Sequence, residues 1–484
     1  MTQRFPLFLA GQRHITGAWL AVHDKWTGEV VAEVARADAA TVARALAAVH
    51  AARPAMAALS AHERIAILHR CAAAARVRSE ELARILVAEV GKPVRDARGE
   101  VARMADTFTV AAAEVQHLGG ELMPLDLSAR SQGYTGIWRR VPVGATALIT
   151  PFNFPLNLAA HKVAPAIAAG CPFVLKPAST TPRSALVLGE ILEESGLPPH
   201  AFSILPCDAA TAAPLVEDDR VALLSFTGSP AVGWELKRRA GRKRITLELG
   251  GNAGCIVDEG ADLDRAVQRL TLGIHGQSGQ SCISVQRVFA HESLYGELRE
   301  RLVAASRALG VGDPRDENTT VGPLISVADA ERLERWVQAA VRAGGQVLCG
   351  GRRAGAVLEP TLLEQVPEDQ PLCAEEAFGP IAVLAPFRDF AAALAAVNRS
   401  RFGLQAGVFT RSLPHALAAW RTLEVGGVVV NDSPTFRADA MPYGGVKESG
   451  FGREGPRAAI EEMTEQRLLV LHDPWPEPPH APGP

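Results

Sequence analysis

The chain contains no apolar run near the ~18 residues that a membrane-spanning helix needs. Its opening, MTQRFPLFLAGQ, has too short an apolar stretch and no cleavage pattern for a secretory leader. These absences predict a cytoplasmic protein with no membrane partner. Net charge is also nearly absent, at −3 over 484 residues, which leaves no electrostatic case for nucleic acid. The one dense basic run, KRRAGRKR at 237–244, reads as a solvated helix C-terminus whose cations favour the negative end of the helix dipole. Seven cysteines (71, 171, 207, 255, 282, 349 and 373) are scattered, with no CxxC and no close Cys/His pair. That excludes a zinc ribbon and argues against a disulfide framework, so no metal is expected. The turn FTGSPAVG (226–233) lacks the GxGxxG dinucleotide fingerprint, and the chain has no internal repeat.

What is present is a long α/β chain, too long for one ordinary core. Residues 38–118 are Ala-rich and helical in pattern, broken around RPAM, VRSEE and GKPV. The stretch 119–144 changes to glycines, prolines and alternating residues, which predicts a β-hairpin. From Gly144 to Gly250 strands and helices alternate: ATALIT, then a helix carrying Pro165, PFVLK, a helix opened by Thr181 and Pro182, FSILP, VALLSFTG, a helix opened by Ser229 and Pro230, and ITLELG. This βαβ rhythm predicts a parallel, doubly wound sheet. A second α/β unit runs from 254 to about 430. After a Gly-rich turn come a helix at 456–465, the strand RLLVLH and a Pro-rich tail, DPWPEPPHAPGP.

Doubly wound sheets bind ligands beyond the carboxyl ends of their strands, and polar residues recur there. Asn153 follows ATALIT, Lys176 ends PFVLK, Gly228 and Ser229 follow VALLSFT, and Glu248 ends ITLEL. The turn at Ser229 could cradle a phosphate on backbone N–H groups, but a simple capped turn explains Ser229 and Pro230 equally well. Lys176 could be an ordinary surface lysine. An acid between Leu247 and Leu249 in a buried strand calls for a partner or a job. GQSGQSCISVQR (276–287) sets Cys282 on a small-residue loop ahead of an alternating strand. There the thiol is either a small buried hydrophobe or a nucleophile that a substrate must reach.

TPFNFP, LKPA, SFTGS, LELGG, GQSCIS, EEAFGP and PYGGVKESGFGREG occur in the order and approximate spacing of the NAD(P)-dependent aldehyde dehydrogenase superfamily, and the chain resembles that family from Gly11 to about His472. The resemblance implies a fold of two doubly wound parallel-sheet domains plus a β-hairpin oligomerisation part. The implied parts are a cofactor-binding domain in two pieces (1–118 and 142–250), the oligomerisation hairpin (119–141), a catalytic domain (251–448), a return helix to the cofactor domain (449–465), and an oligomerisation strand with tail (466–484). Homodimers or homotetramers are the implied assembly. Cys282 would be the nucleophile, Glu248 the general base and Asn153 the oxyanion donor. NAD or NADP would lie against Thr150, Phe152, Lys176, Ser179, Gly228, Ser229, Gly233 and Leu249, with Glu376 on the nicotinamide-side ribose and Phe378 near the ring.

The C-terminal motif resembles a prokaryotic branch that includes lactaldehyde and phosphonoacetaldehyde oxidisers, which points to a small aldehyde bearing a hydroxyl or acidic group, such as lactaldehyde or glycolaldehyde. Arg437 would then meet the polar substituent, although a structural salt bridge fits it as well, and Phe436 and Tyr443 would narrow the mouth. His161 stands where succinic semialdehyde oxidisers place an arginine, and Ser281 where phosphorylated-glyceraldehyde oxidisers do. Both departures weaken those substrates as readings. Two alternatives differ in kind: acyl transfer to coenzyme A, whose enzymes lack the glutamate present here as Glu248, and a catalytically silent homologue.

Relatives strict for NAD often carry a glutamate where this chain has Ser179, and a neutral hydroxyl removes its repulsion of a 2′-phosphate. Ser179→Glu is therefore expected to depress kcat/KM for NADP while sparing NAD. Equal loss with both cofactors would show that this residue does not discriminate.

Overall fold

A computed structural model describes residues 2–473; the Pro-rich tail expected after His472 lies outside them, apart from Asp473. Five helices (Ala39–Ala51, Arg53–Ala58, Ala61–Val77, Ser79–Val90 and Val94–Glu114) fill the Ala-rich stretch. The first of them packs on an eight-stranded sheet, and the third to fifth pack on the helices Asn157–Ala169 and Pro182–Glu194. The order of that sheet runs Gly450–Phe451, Arg244–Glu248, Val221–Thr227, Ala145–Ile149, Phe173–Lys176, Phe202–Ile204, Leu7–Leu9, Gln12–His14. The five inner strands, from Arg244–Glu248 to Phe202–Ile204, are parallel. Antiparallel strands close both edges.

A second sheet of seven strands runs Gln346–Cys349, Thr361–Glu364, Ile381–Phe387, Val285–His291, Ala253–Val257, Gln405–Phe409, Gly427–Val430. It is parallel except at its first edge. Parallel strands covered on both faces should read as continuous apolar runs, and Ala145–Ile149 and Ala253–Val257 are buried at every position. The expected fold class, two doubly wound sheets with an added hairpin, is the one observed.

The hairpin Gly120–Pro124/Tyr134–Pro142 does not stand alone. Thr464–His472 pairs antiparallel with Tyr134–Pro142 over nine residues, making one three-stranded sheet from segments more than three hundred residues apart. The return helix is shorter than expected, Pro456–Glu462.

Helix starts differ from the sequence expectation in an instructive way. Neither Thr181 nor Ser229 caps its helix through its side chain. For Pro182–Glu194 the orphan N–H groups are taken by a carboxylate from another helix: Arg183 N donates to Glu89 Oε2 and Ser184 N to Glu89 Oε1, each at 2.9 Å. Glu100 does the same for Asn157–Ala169, accepting from the amides of Leu156 at 2.9 Å and Asn157 at 3.1 Å. Its charge is balanced by the buried Lys92, with which it forms a close ion pair. Pro230–Arg239, after Gly228 and Ser229, has no such cap. Its N-terminus is left open at the crevice between the sheets.

Candidate active site

The loop that carries Cys282 begins where the helix Leu263–His275 ends. Its expected lack of helix or strand pattern has a cause in the backbone. Gln277, Ser278 and Gly279 follow one another at φ 53°, 55° and 66°, a left-handed run that L-residues with side chains avoid. Neighbours fix it. Gln277 N donates to Asp96 Oδ2 at 2.9 Å. Ser278 Oγ donates to Gly322 O and accepts from Gly322 N. Ile325 N donates to Gln280 Oε1 at 2.9 Å. At Gly279 a Cβ would lie 2.1 Å from Gly379 O, so only glycine fits.

The same turn reaches the expected oxyanion donor. Gln277 Nε2 donates to Asn153 O at 2.6 Å, and Asn153 Nδ2 donates to Gln280 O at 3.0 Å. The Asn153 amide keeps one more N–H for a ligand. Cys282 is partly buried and lines a cavity of about 410 Å3 together with Asn153, Phe154, Asp96, Arg95, Arg103, Arg437, Tyr443 and others. Burial pushes its thiol up to about 12, against the help of a 3.1 Å contact with Tyr443 Oη. Four of the other six cysteines are fully buried, and Cys349 and Cys373 nearly so or in part; none of the six lines this cavity.

Glu248 is 3% exposed, and neither carboxylate oxygen has a hydrogen-bond partner. Burial, reinforced by the charge of Glu454, raises its proton affinity well above the usual carboxylate range. Glu454 is also buried but stays ionised. Lys162 Nζ donates to its Oε1 at 2.7 Å and to Ser225 Oγ at 2.8 Å, and Arg437 Nη2 lies 3.3 Å from its Oε2. Sequence reasoning missed Lys162, Glu454 and Asp96. A signal for the first existed: Lys162 interrupts the otherwise apolar helix NLAAHKVAPAIAA, and a lysine buried there needs an acid.

Of the residues expected at the substrate, Arg437 and Tyr443 line the cavity and His161 and Phe436 do not. His161 is fully buried, with Nε2 2.8 Å from Asp439 Oδ1, and burial lowers its pKa to about 4. Phe436 is 47% exposed, and its carbonyl accepts from Gln405 Nε2. Arg437 combines both roles considered for it. It pairs with Glu454, yet its Nε is buried without a partner, and its guanidinium carbon sits 3.8 Å from the centroid of the Tyr443 ring. Arg103, not anticipated, enters the cavity wall from the Val94–Glu114 helix and grips Asp439 with two donors at 3.2 and 2.8 Å.

On the other side of the nucleophile, a crevice of about 590 Å3 is lined by Ser229, Pro230, Ala231, Trp234, Glu376 and Phe402 among others. Trp234 Nε1 in that lining is buried without a partner, so a donor is available for a ligand there; Thr150 Oγ1 is also buried without a partner, outside this lining. Glu376 Oε1 accepts from Gly251 N at 2.9 Å, and burial pushes Glu376 up to about 7. Phe152 and Phe378 meet edge to face at 5.7 Å, with Phe378 in the left-handed region at φ 56°. A Cβ at Gly233 would meet Leu249 Cδ2 at 2.3 Å, which fixes how closely the open helix approaches the Glu248 strand end. Gly228 N donates to Glu248 O at 3.0 Å. Lys176 and Ser179 are turned to local partners: Lys176 Nζ donates to Pro177 O and Ser179 Oγ to Cys207 O.

The family model for the aldehyde dehydrogenase family matches residues 14–469. A 3-sulfolactaldehyde dehydrogenase from Priestia aryabhattai is 42% identical over 472 residues, which cover 97% of this chain and 98% of the relative. A lactaldehyde dehydrogenase from Methanocaldococcus jannaschii is 40% identical over 414 residues, covering 84% and 88%. Among solved structures, aldehyde dehydrogenase 21 from Physcomitrella patens, in complex with the reaction product succinate, superposes with a TM-score of 0.96 at 48% identity, covering 98% of this chain and 99% of that one. A glyceraldehyde-3-phosphate dehydrogenase from Methanocaldococcus jannaschii complexed with NADP gives 0.90 at 37% identity, covering 95% and 100%.

At Gly251 the backbone has ordinary dihedrals, but an added Cβ would lie 2.2 Å from the Cys282 carbonyl oxygen. The obstacle is backbone, so the nucleophile segment must move. Gly251→Ala is expected to lower kcat at least about a hundredfold, the scale of a 1 Å misplacement, in a protein whose circular dichroism is unchanged. Turnover within threefold of the parent would show that the segment yields without cost.

Proposed function

The chain belongs to the aldehyde dehydrogenase family, and on that premise we propose that it uses NAD or NADP to oxidise a small aldehyde bearing an acidic or hydroxyl group to the carboxylic acid. One observation carries the substrate class. The cavity over Cys282 is walled by three guanidinium groups, Arg95, Arg103 and Arg437, against two carboxylates, Asp96 and Glu100, and Arg437 keeps a buried Nε unpartnered. A buried donor without a partner favours a ligand that supplies one. The relatives named for 3-sulfolactaldehyde and lactaldehyde, and the succinate in the Physcomitrella structure, agree with that class.

The geometry supports a role for each of these residues. Cys282 Sγ attacks the carbonyl carbon, and the oxyanion of the resulting thiohemiacetal is met by the free N–H of the Asn153 amide and the Cys282 amide. The orphan Trp234 Nε1 and the open Pro230–Arg239 helix in the 590 Å3 crevice suit a dinucleotide, with Glu376 toward the ribose and Ser229 toward the phosphates. Bound there, the nicotinamide supplies the hydride acceptor, and a thioester is left on Cys282. Glu248 then takes a proton from water, which adds to the thioester carbon, and the acid departs as the thiol re-forms. Its raised pKa suits it to that task near neutrality. Since Glu248 must be ionised to act, kcat is expected to rise with pH across its titration.

Transfer to coenzyme A would leave Glu248 without a role. The test is steady-state kinetics on 3-sulfolactaldehyde, succinic semialdehyde, lactaldehyde, propionaldehyde and hexanal, with and without coenzyme A. Cys282→Ala should be inactive, and Glu248→Gln should release a burst of reduced cofactor and stall. Arg103→Ala should raise KM for the acidic aldehydes about tenfold while leaving propionaldehyde nearly unchanged. Hexanal favoured at least tenfold by kcat/KM, about 1.4 kcal/mol of transition-state binding, would refute the substrate class.

We further propose a dimeric or tetrameric assembly. Leu468, Leu469, Val470 and Leu471 lie on the outer edge strand of the three-stranded sheet at 45–54% exposure. A flat apolar edge of that kind invites pairing with a second chain. Light scattering at micromolar concentration should return at least twice the chain mass, and deletion of 466–484 should give smaller or insoluble species. A monodisperse full-length monomer would contradict this.

A further inference from the structure

We infer that Tyr443 is a catalytic residue: its phenol, 3.1 Å from Cys282 Sγ, donates a hydrogen bond to the thiolate, and Arg437 stacked on the phenol ring strengthens that donor. The inference rests on the proposed role of Cys282 as nucleophile and adds a group that this role requires.

The argument starts from the surroundings of the sulfur. Four charged or titratable groups face it: Glu248 from the end of its strand, Glu376 from the segment after the Pro371–Ala374 helix, and Arg437 and Tyr443 from the loop 431–443. The two carboxylates oppose ionisation of the thiol, and burial opposes it more. Tyr443 Oη is the hydrogen-bond partner that Sγ has among the described residues. In the resting pair either atom can donate. Once the sulfur loses its proton it can only accept, so the bond becomes phenol to thiolate, and a charge-assisted bond of that kind is roughly twice as strong as a neutral one.

Arg437 tunes the donor. Its guanidinium carbon lies 3.8 Å from the Tyr443 ring centroid, over the negative face of the ring. A cation there draws electron density from the phenol and makes its O–H more acidic. Tyr443 is 3% exposed, so no bulk water competes for the bond. The stack is also fixed in place: Arg437 is tethered through Nη2 to Glu454, which Lys162 holds in turn, and Tyr443 exchanges both backbone hydrogen bonds with Glu454 (2.9 and 2.6 Å).

The proton balance is simple. The thiol proton leaves through a cavity water to solvent, and the S–C bond forms as the carbonyl π pair becomes the oxyanion. Tyr443 keeps its own proton throughout. Its bond to sulfur holds the nucleophile before attack and weakens as the sulfur charge is spent.

The first measurement needs neither aldehyde nor cofactor. Alkylation of Cys282 by iodoacetamide is followed across pH by mass spectrometry of the Cys282 peptide, in the parent and in Tyr443→Phe. Loss of the donor should move the midpoint of the alkylation curve upward by about one unit and slow the reaction at pH 7 about tenfold, since one unit corresponds to that factor in thiolate. Turnover should show kcat lowered at least about tenfold with KM for aldehyde almost unchanged. A second measurement works even if that variant folds poorly. The chain has three tyrosines, so 3-fluorotyrosine incorporated into a Tyr134→Phe/Tyr295→Phe background modifies Tyr443 alone. The more acidic phenol should move the midpoint downward. A midpoint in Tyr443→Phe within about 0.2 units of the parent, or an upward shift with the fluorinated phenol, overturns the inference while the nucleophile role stands if Cys282→Ala is inactive. Turnover surviving in Cys282→Ala overturns both.

Discussion

Three consecutive residues with positive φ, Gln277 to Gly279, lead into the loop of Cys282 and hold Asn153 beside it. Two of them carry side chains, and each such residue costs of order 1–3 kcal/mol unless its surroundings over-determine it. Here the surroundings come from three directions: Asp96 from a helix of the first unit, Gly322 and Ile325 from a loop of the second, and the Gly379 backbone from the segment that carries Glu376. The turn in turn holds Asn153 through the Gln277 side chain. Cys282 and Asn153 are thus brought together by one strained backbone segment.

Buried carboxylates organise the rest of the site, and they divide into two kinds. Glu89 and Glu100 spend their charge on helix N-termini, closing two of the helices that follow strands in the first sheet. Glu248 is left without any hydrogen bond, beside a Glu454 that is fully compensated by Lys162 and Arg437. Two acids in one pocket with opposite compensation have proton affinities driven apart. The helix Pro230–Arg239, which lacks a carboxylate cap, is the one facing the crevice.

Much of the fold was legible because its signals are local. Continuous apolar runs marked the buried parallel strands, and Gly–Pro punctuation marked their ends. Motif order then brought Cys282, Asn153 and Glu248 together on paper. The capping of Pro182–Glu194 was not legible, because Glu89 lies more than ninety residues before the amides it serves. The ion pair Lys162–Glu454 spans 292 positions, and neither residue has an unusual local context apart from the apolar helix around the lysine. His161 follows the motif asparagine at the spacing of a substrate residue, but the helix turns it away from the cavity toward Asp439. Position along a motif reports which element a residue sits on. The direction of its side chain is set by packing.

The close approach of Gly279 to Gly379 has a mechanical consequence. With no room for even a methyl group between these two backbones, the loop bearing the thiol and the loop bearing Glu376 and Phe378 are keyed together and shift as one body. A disturbance at the dinucleotide end of the crevice is therefore transmitted to the sulfur as a displacement, without any intervening side chain to absorb it. The surroundings of Glu376 and the placement of Cys282 are linked in this way through one backbone contact.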